Sequence, residues 1–329
     1  MGYNNGGTIE NCDIMNSNIE ASNSYCGGIA GLSYSGTVKK CKNFSDIKGS
    51  GAIGGIVGRN EAGAIIEQTY NTGKIISNSS DLNEYGTYYY SRAGGICGGI
   101  YEGGIVRLSY NEGNIEGNGI QIGGICGISY SGDNISSIIE NCYNKGNITI
   151  EKIQAGGICG YISADAKVRN CINLGNVSGE HSIGGIAGLT GHTSYRGNIE
   201  NCYNVGNISS ESSTGGISGC IYYGTIKNCY NKGIVTSNSV FQGGITSISQ
   251  FATSTSNELN RSISNCFYLI GTNSGGIDGQ NIANQAMPIS QTDLNAINIV
   301  DFLNTGNSIQ VWKQDSNNIN NGYPILNWQ

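Results

Sequence analysis

The apolar residues of this chain fall in short segments separated by Gly and Asn, and these segments recur through most of its length. One recurring block, which we call the second block, consists of Ile or Val followed three residues later by Cys, Thr or Ser. It occurs nine times, from the pair Ile9 and Cys12 to the pair Ile263 and Cys266. Segments this short are typical of β-strands rather than helices. The first block, Gly-Gly-Ile, also recurs nine times in step, at Gly27, Gly54, Gly94, Gly123, Gly156, Gly184, Gly215, Gly243 and Gly275.

A third block places Asn four residues before Ile or Val, so that each repeat holds three β-prone segments with Gly or Asn at the corners. One repeat cannot bury its own apolar face, but stacked copies can. We therefore predict an all-β fold, a right-handed parallel β-helix (β-solenoid) of about nine coils with three short strands each. The Asn side chains should bond from coil to coil as a ladder. They are Asn43, Asn71, Asn111, Asn144, Asn173, Asn204 and Asn231.

The residue after each Ile or Val of the second block alternates in charge. On neighbouring parallel strands these side chains would be adjacent, where opposite charges attract and like charges repel. The alternation therefore predicts one coil per repeat and a surface charge ladder. Its members are Glu10, Lys39, Glu67, Arg107, Glu140, Arg169, Glu200 and Lys227.

The blocks resemble the GLUG repeat, written GGIAGL from Gly27 and again from Gly184, with the accompanying NCYN-x-G-x-I element from Asn141 and from Asn201. The resemblance covers residues 1–279. It implies a segment of a large extracellular bacterial surface protein, such as the regions of IgA-protease-like proteins outside their catalytic domains, and it gives no ligand. The opening residues lack the basic and apolar regions of a signal peptide, so we expect the sequence to be a fragment.

Residues 280–329 differ from the array and look like the end module that follows such repeats. Apolar residues near helical spacing follow Asp293, with Thr292 as the expected N-cap. Trp312, Tyr323 and Trp328 supply bulk. We expect a small α/β cap that covers the last coil, because solenoids need to blunt their exposed edge strands.

Charge and cysteine content exclude several classes of function. The net charge is −6 and the 17 Lys and Arg are scattered, which argues against nucleic-acid binding. No apolar run is long enough to span a membrane. Ten of the 12 cysteines occupy repeat positions where Ala, Val, Ser or Thr also occur, which predicts free, buried thiols, with structural disulfides as the alternative. With two His and no CxxC pair, we predict neither a metal site nor a cofactor.

The alternative function, from a different functional class, is that of a polysaccharide-degrading β-helix enzyme. It would need a local cluster of carboxylates, whereas Glu10, Glu67, Glu140 and Glu200 belong to the charge ladder. We therefore predict a non-catalytic segment that serves in cell-surface adhesion or as a rigid spacer.

Tyrosines are the candidate ligand-binding residues, with a host glycan or protein as the partner. Tyr143, Tyr203 and Tyr230 share one repeat position and should form an outward stripe, although ring stacking could merely shield the corner. The insertion 79–92 is rich in Tyr, Ser and Gly, a composition typical of binding loops, although it could be only a decorated loop. Its candidates are Tyr85, Tyr88, Tyr89 and Tyr90.

Overall fold

The computed structural model describes residues 1–78, 91–132, 135–192, 194–248 and 260–329. In these residues the chain winds into a parallel β-solenoid, because strands one repeat apart pair side by side in four sheets, A to D. Sheets A and B each contain nine strands, which places the first and last coils about eight turns apart. The predicted all-β solenoid is thereby confirmed.

Each coil passes through the sheets in the order A, B, C, D. Sheet A contains Tyr3–Asn5, Ala30–Tyr34, Val57–Glu61, Cys97–Tyr101, Cys126–Tyr130, Cys159–Ser163, Ala187–Thr190, Ser218–Ile221 and Thr246–Ile248. Sheet B contains Thr8–Glu10, Thr37–Lys39, Ile65–Glu67, Ile105–Arg107, Ile138–Glu140, Ala166–Arg169, Gly197–Glu200, Gly224–Lys227 and Arg261–Ser264.

Sheets C and D complete the coil. Sheet C contains Asp13–Ile14, Lys42–Asn43, Tyr70–Asn71, Tyr110–Asn111, Tyr143–Asn144, Ile172–Asn173, Tyr203–Asn204, Tyr230–Asn231, Cys266–Leu269 and Ala286–Ile289. Sheet D contains Asn18–Gly27, Asp46–Gly54, Ile75–Ser77, Arg92–Gly94, Ile115–Gly117, Ile122–Gly123, Ile148–Ile150, Ile153–Gly156, Val177–Gly184, Ile208–Gly215, Val235–Ser237 and Gln242–Gly243.

The third sequence block forms two strands, which gives four strands per coil where we expected three. Its Asn belongs to sheet C and its Ile or Val begins a strand of sheet D, as Asn144 and Ile148 do. Between them the chain turns at Gly146, whose carbonyl accepts a hydrogen bond of 2.8 Å from Asn144 Nδ2. A separate left-handed residue makes the corner between sheets B and C, for instance Asn141 with φ 53°, a conformation that Asn tolerates.

Seven buried Asn side chains form a hydrogen-bonded column inside the solenoid, which confirms the predicted ladder. Nδ2 of every Asn except Asn231, the last in the column, donates to Oδ1 of the Asn one coil further on, at 2.8–2.9 Å. The second amide hydrogen goes to the carbonyl two residues ahead. All seven side chains are 0% exposed, so the column supplies the hydrogen bonds that buried amides require.

The second Gly of the first seven Gly-Gly-Ile blocks, from Gly28 to Gly216, lies against this Asn column. A Cβ at Gly95 would sit 2.2 Å from Cγ of Asn111, and one at Gly124 would sit 2.3 Å from Cγ of Asn144. Only Gly permits so close an approach. The two columns separate a large apolar compartment lined by sheets A, B and C from a smaller one under sheet D.

The charge ladder on sheet B has the predicted register. Arg107 lies between Glu67 and Glu140 on neighbouring strands, and the alternation continues on both sides. Opposite charges therefore stack along the outside of the solenoid. Salt bridges form within the pairs Glu10–Lys39 (3.2 Å), Glu67–Arg107 (2.7 Å) and Glu140–Arg169 (2.7 Å).

The C-terminal module, residues 290–329, packs against the flank of sheet C. Trp312 Nε1 donates to Asn201 Oδ1 at 3.2 Å, and Trp328 Nε1 donates to the Asn170 carbonyl at 3.0 Å. These contacts lie several coils before the last one, so this part of the predicted capping module, residues 280–329, lies beside sheet C and not over the last coil. The module consists of the helices Gln291–Leu294 and Ile297–Asn304 and the antiparallel pair of Trp312–Lys313 and Ile325–Leu326.

The last strand of sheet C, Ala286–Ile289, is followed directly by the N-cap of the first helix. Ala286–Ile289 adds a parallel strand to Cys266–Leu269 and so covers that edge. The N-cap of the helix is Ser290, not Thr292 as predicted, because the Ser290 hydroxyl accepts from the backbone N–H of Asp293 at 3.1 Å.

All twelve cysteines lie in the described residues and none of them forms a disulfide; eleven are buried and Cys12 is exposed. Cys97, Cys126 and Cys159 are register neighbours in sheet A. Burial raises the pKa of the Cys126 and Cys142 thiols well above the usual value. Such thiols stay protonated and react slowly.

Replacing a ladder residue should be far more damaging than replacing an exposed Asn nearby. Asn144→Ala leaves Asn111 Nδ2 and Asn173 Oδ1 without their buried partner, at about 1–3 kcal/mol each. The matched control is Asn147→Ala, which removes an exposed acceptor for the Asn176 N–H at 3.0 Å and should cost less than about 1 kcal/mol. Urea denaturation of both variants measures the difference; similar midpoints would contradict the role of the column.

Reversing a charge in the ladder should destabilise more than neutralising it. Glu140→Lys places an ammonium between Arg107 and Arg169, each about 4.8 Å away on an adjacent strand. Glu140→Ala removes only surface attractions of about 0.2–1 kcal/mol. Thermal melts at low and high salt should show an excess loss for Glu140→Lys that salt reduces. Equal melting temperatures at low salt would mean that these residues are not neighbours.

Thiol titration tests the burial of the cysteines. The native protein should react rapidly at Cys12 alone, because the other eleven thiols are buried. In denaturant without reductant, nearly all twelve thiols should react. Recovery of fewer than half of them would indicate disulfides and contradict the free-thiol assignment.

Candidate binding groove

The predicted tyrosine stripe on sheet C points away from the interior, and its first half remains partly exposed. Tyr143 follows the inward Cys142 and is half-buried. Its ring stacks on Tyr110 with centres 4.4 Å apart, and Lys145 Nζ lies 5.1 Å from the ring centre. Much of the ring surface in this half is therefore taken up by neighbours within the chain.

The second half of the stripe is covered, so the expectation that Tyr203 and Tyr230 are exposed is wrong. Their exposed fractions are 1% and 0%. The Trp312 ring packs on both, with centres 6.0 and 5.5 Å away, and the Tyr230 hydroxyl donates to the Pro324 carbonyl at 2.7 Å. The C-terminal module uses these rings as its own packing surface, because large aromatic faces stabilise most when they are removed from water.

The other candidates, Tyr85, Tyr88, Tyr89 and Tyr90, lie outside the described residues. Their role in ligand binding stays a prediction. The described residues end at Asn78 before this insertion and begin again at Ser91.

A groove of about 1350 Å³ opens where sheet A turns into sheet B. The connections 131–137 and 191–196 are longer there than the connection 164–165 between them. Antiparallel bridges from Gly132 to Ile135 and from His192 to Tyr195 hold the two long connections. The short turn at Ala164 therefore lies between two longer connections.

Three tyrosine rings line the middle of the groove. Tyr130 and Tyr161 stand on the outer side of sheet A and are half-buried. Tyr195 is 49% exposed, and its ring centre lies 6.0 Å from that of Tyr130 at a tilt of 59°. The Tyr161 hydroxyl donates to Ser163 Oγ at 3.0 Å. These rings present apolar faces whose positions are set by the sheet and by a bridged loop.

An arginine-tyrosine cluster lines part of the groove. Arg92 donates to the Tyr101 hydroxyl at 2.6 Å and to Gln121 Oε1 at 2.9 Å. Arg59 lies 4.3 Å from the centre of the Tyr101 ring on the other side. Burial raises the pKa of Tyr101 to about 12. The cluster is therefore a wall of fixed, internally bonded side chains.

Two exposed carboxylates, Glu102 and Asp165, add polar groups to the groove. Each sits at a left-handed turn residue, with φ 48° and 62°. Within the described part of the chain, neither carboxylate forms a salt bridge. Ionised carboxylates only accept hydrogen bonds, so these two are available to a ligand that carries hydroxyl or N–H donors.

Sequence reasoning missed the groove, although two signals of it were present. The residue seven positions after the first Gly of the Gly-Gly-Ile block is Tyr in four repeats, Tyr34, Tyr101, Tyr130 and Tyr222. The spacing between the first and second blocks also varies, and this variation reflects the loop lengths that shape the groove.

No group of three or more His, Cys, Asp or Glu side chains in the described ranges is placed to hold a metal ion. The same residues contain no helix with the length and apolar character needed to cross a membrane.

Comparison with known proteins supports the repeat family and the fold. Residues 49–76 match the family described as the GLUG motif, which confirms the resemblance. A crystal structure of a Bacteroides ovatus protein, provisionally assigned as an immunoglobulin A1 protease, has a similar fold, with a TM-score of 0.55 and 20% sequence identity. The similarity covers 88% of this chain and 86% of that one. No curated protein matches the chain.

Proposed function

We propose that this solenoid, which carries the GLUG motif, is a non-catalytic binding segment of a bacterial cell-surface protein, and that the groove is its ligand site. The groove is the observation that carries the proposal, since it is concave and combines aromatic faces with a few polar groups, as ligand sites do. The GLUG resemblance supports an extracellular location, where the partner is a host glycan or protein. The stacked coils would also hold neighbouring domains apart as a rigid spacer.

Binding fits the groove better than catalysis. General acid catalysis by a carboxyl group needs a pKa raised by burial or by a neighbouring charge, whereas Glu102 and Asp165 are both exposed to water. Release of reducing sugars from a polysaccharide by the purified chain would overturn the non-catalytic assignment.

Removing a groove tyrosine should weaken ligand binding, whereas removing its counterpart outside the groove should not. Tyr130→Ala or Tyr161→Ala should each cost about 1–2 kcal/mol of binding free energy, as truncation of an aromatic hot spot does. Tyr34 is the matched control, because it occupies the same outward column of sheet A as Tyr130 but lies outside the groove. A glycan array and a host-protein pull-down supply the ligand, and titration calorimetry supplies the affinities.

Two further tests decide whether the ligand binds the groove, the tyrosine stripe on sheet C or the insertion 79–92. Tyr143→Ala tests the open half of the stripe, and joint replacement of Tyr85, Tyr88, Tyr89 and Tyr90 tests the insertion. If either of these weakens binding while Tyr130→Ala and Tyr161→Ala do not, the groove is not the ligand site.

A further inference from the structure

The groove is elongated along the solenoid axis. Its lining residues come from five successive coils, at Gly63, Glu102, Gly132, Asp165 and Tyr195. Adjacent strands in a sheet lie about 4.8 Å apart, so the four steps between these coils span roughly 19 Å. A ligand that fills the groove is therefore extended and lies parallel to the axis.

The groove is poorly suited to an added peptide strand. Peptides that extend a sheet need an edge with unpaired backbone groups. The sheet A strands that end in Tyr101 and Tyr130 are paired with strands on both sides. An extended peptide also advances only about 3.3 Å per residue, so its side chains would fall out of step with the coils. Recognition here must come from side chains and turns.

The exposed side chains match the two kinds of surface on a sugar ring. The faces of Tyr130, Tyr161 and Tyr195 can pack against the C–H face of a pyranose, since aromatic rings offer a large, rigid apolar surface. Glu102 and Asp165 can accept hydrogen bonds from ring hydroxyls. The same two carboxylates repel acidic sugars, and the Arg92 side chain is already engaged by Tyr101 and Gln121.

We propose that the groove binds a linear, uncharged glycan parallel to the solenoid axis, with roughly one sugar ring per step between coils and hence about four rings in contact. This inference rests on the proposed function, because it names the ligand class of the same groove. The rise of an extended glycan per ring is close to the strand spacing of the sheet, so successive rings can lie beside successive coils.

Affinity as a function of chain length tests the proposal. The probes are cello-, xylo-, manno- and chito-oligosaccharides, each from the disaccharide to the octasaccharide, measured by titration calorimetry. In at least one series the affinity should rise by roughly tenfold or more from two rings to about four, which is the effect of one good contact, and then level off. Tyr161→Ala should flatten this rise, whereas Tyr34→Ala should leave it unchanged. Oligogalacturonides of equal length should bind at least about tenfold more weakly.

Several outcomes would overturn the proposal, and they separate it from the proposed function. Binding that does not depend on length, or oligogalacturonide binding as tight as that of the neutral series, would exclude a linear uncharged glycan. Absence of binding in all four series would also exclude it. If a host protein then binds and Tyr130→Ala weakens it, the groove remains the ligand site and only the ligand class is wrong. If no glycan and no host protein binds, both proposals fail.

Discussion

The contact between the Asn column and the Gly column is the constraint on which the rest of the solenoid depends. Each Asn amide is buried and must bond to the Asn of the next coil, as Asn111 does to Asn144 at 2.8 Å. Each facing Gly must lack a Cβ, because Asn144 occupies the space beside Gly124. Since an unsatisfied buried amide is costly, a coil that slips in register loses both the hydrogen bond and the fit. The column therefore holds the seven coils from Asn43 to Asn231 in one register.

A fixed interior leaves the outer surface free to vary. The connections between sheets A and B differ in length from coil to coil, yet the strands on either side of them keep their pairing. A loop can lengthen there without disturbing the Asn column, which belongs to sheet C, or the Gly column, which lies in the bend between sheets D and A. The Tyr-lined groove arises from such local differences, in keeping with the general placement of binding residues on loops carried by a rigid scaffold.

The outward rings of sheet C show how one repeat position can serve two purposes. Tyr110 and Tyr143 stack on each other at the surface, while Tyr203 and Tyr230 lie beneath Trp312. The C-terminal module also contacts the corner residues Asn170 and Asn201. It therefore adds a third apolar cluster outside the solenoid. This cluster is separate from the two apolar compartments inside the solenoid.

The sequence by itself determined the solenoid, the Asn ladder and the charge register, because these follow from repeated local patterns that stacking brings into contact. It indicated burial of the thiols for the same reason, since Cys interchanges with Ala, Val, Ser and Thr. Only the tertiary structure decided which tyrosines are accessible. Tyr230 and Pro324 bond across 94 residues of chain, and no pattern near either residue specifies that contact. The groove likewise depends on how residues from non-consecutive coils lie beside one another, as Tyr130 and Tyr195 do, and this arrangement exists only once the coils are stacked.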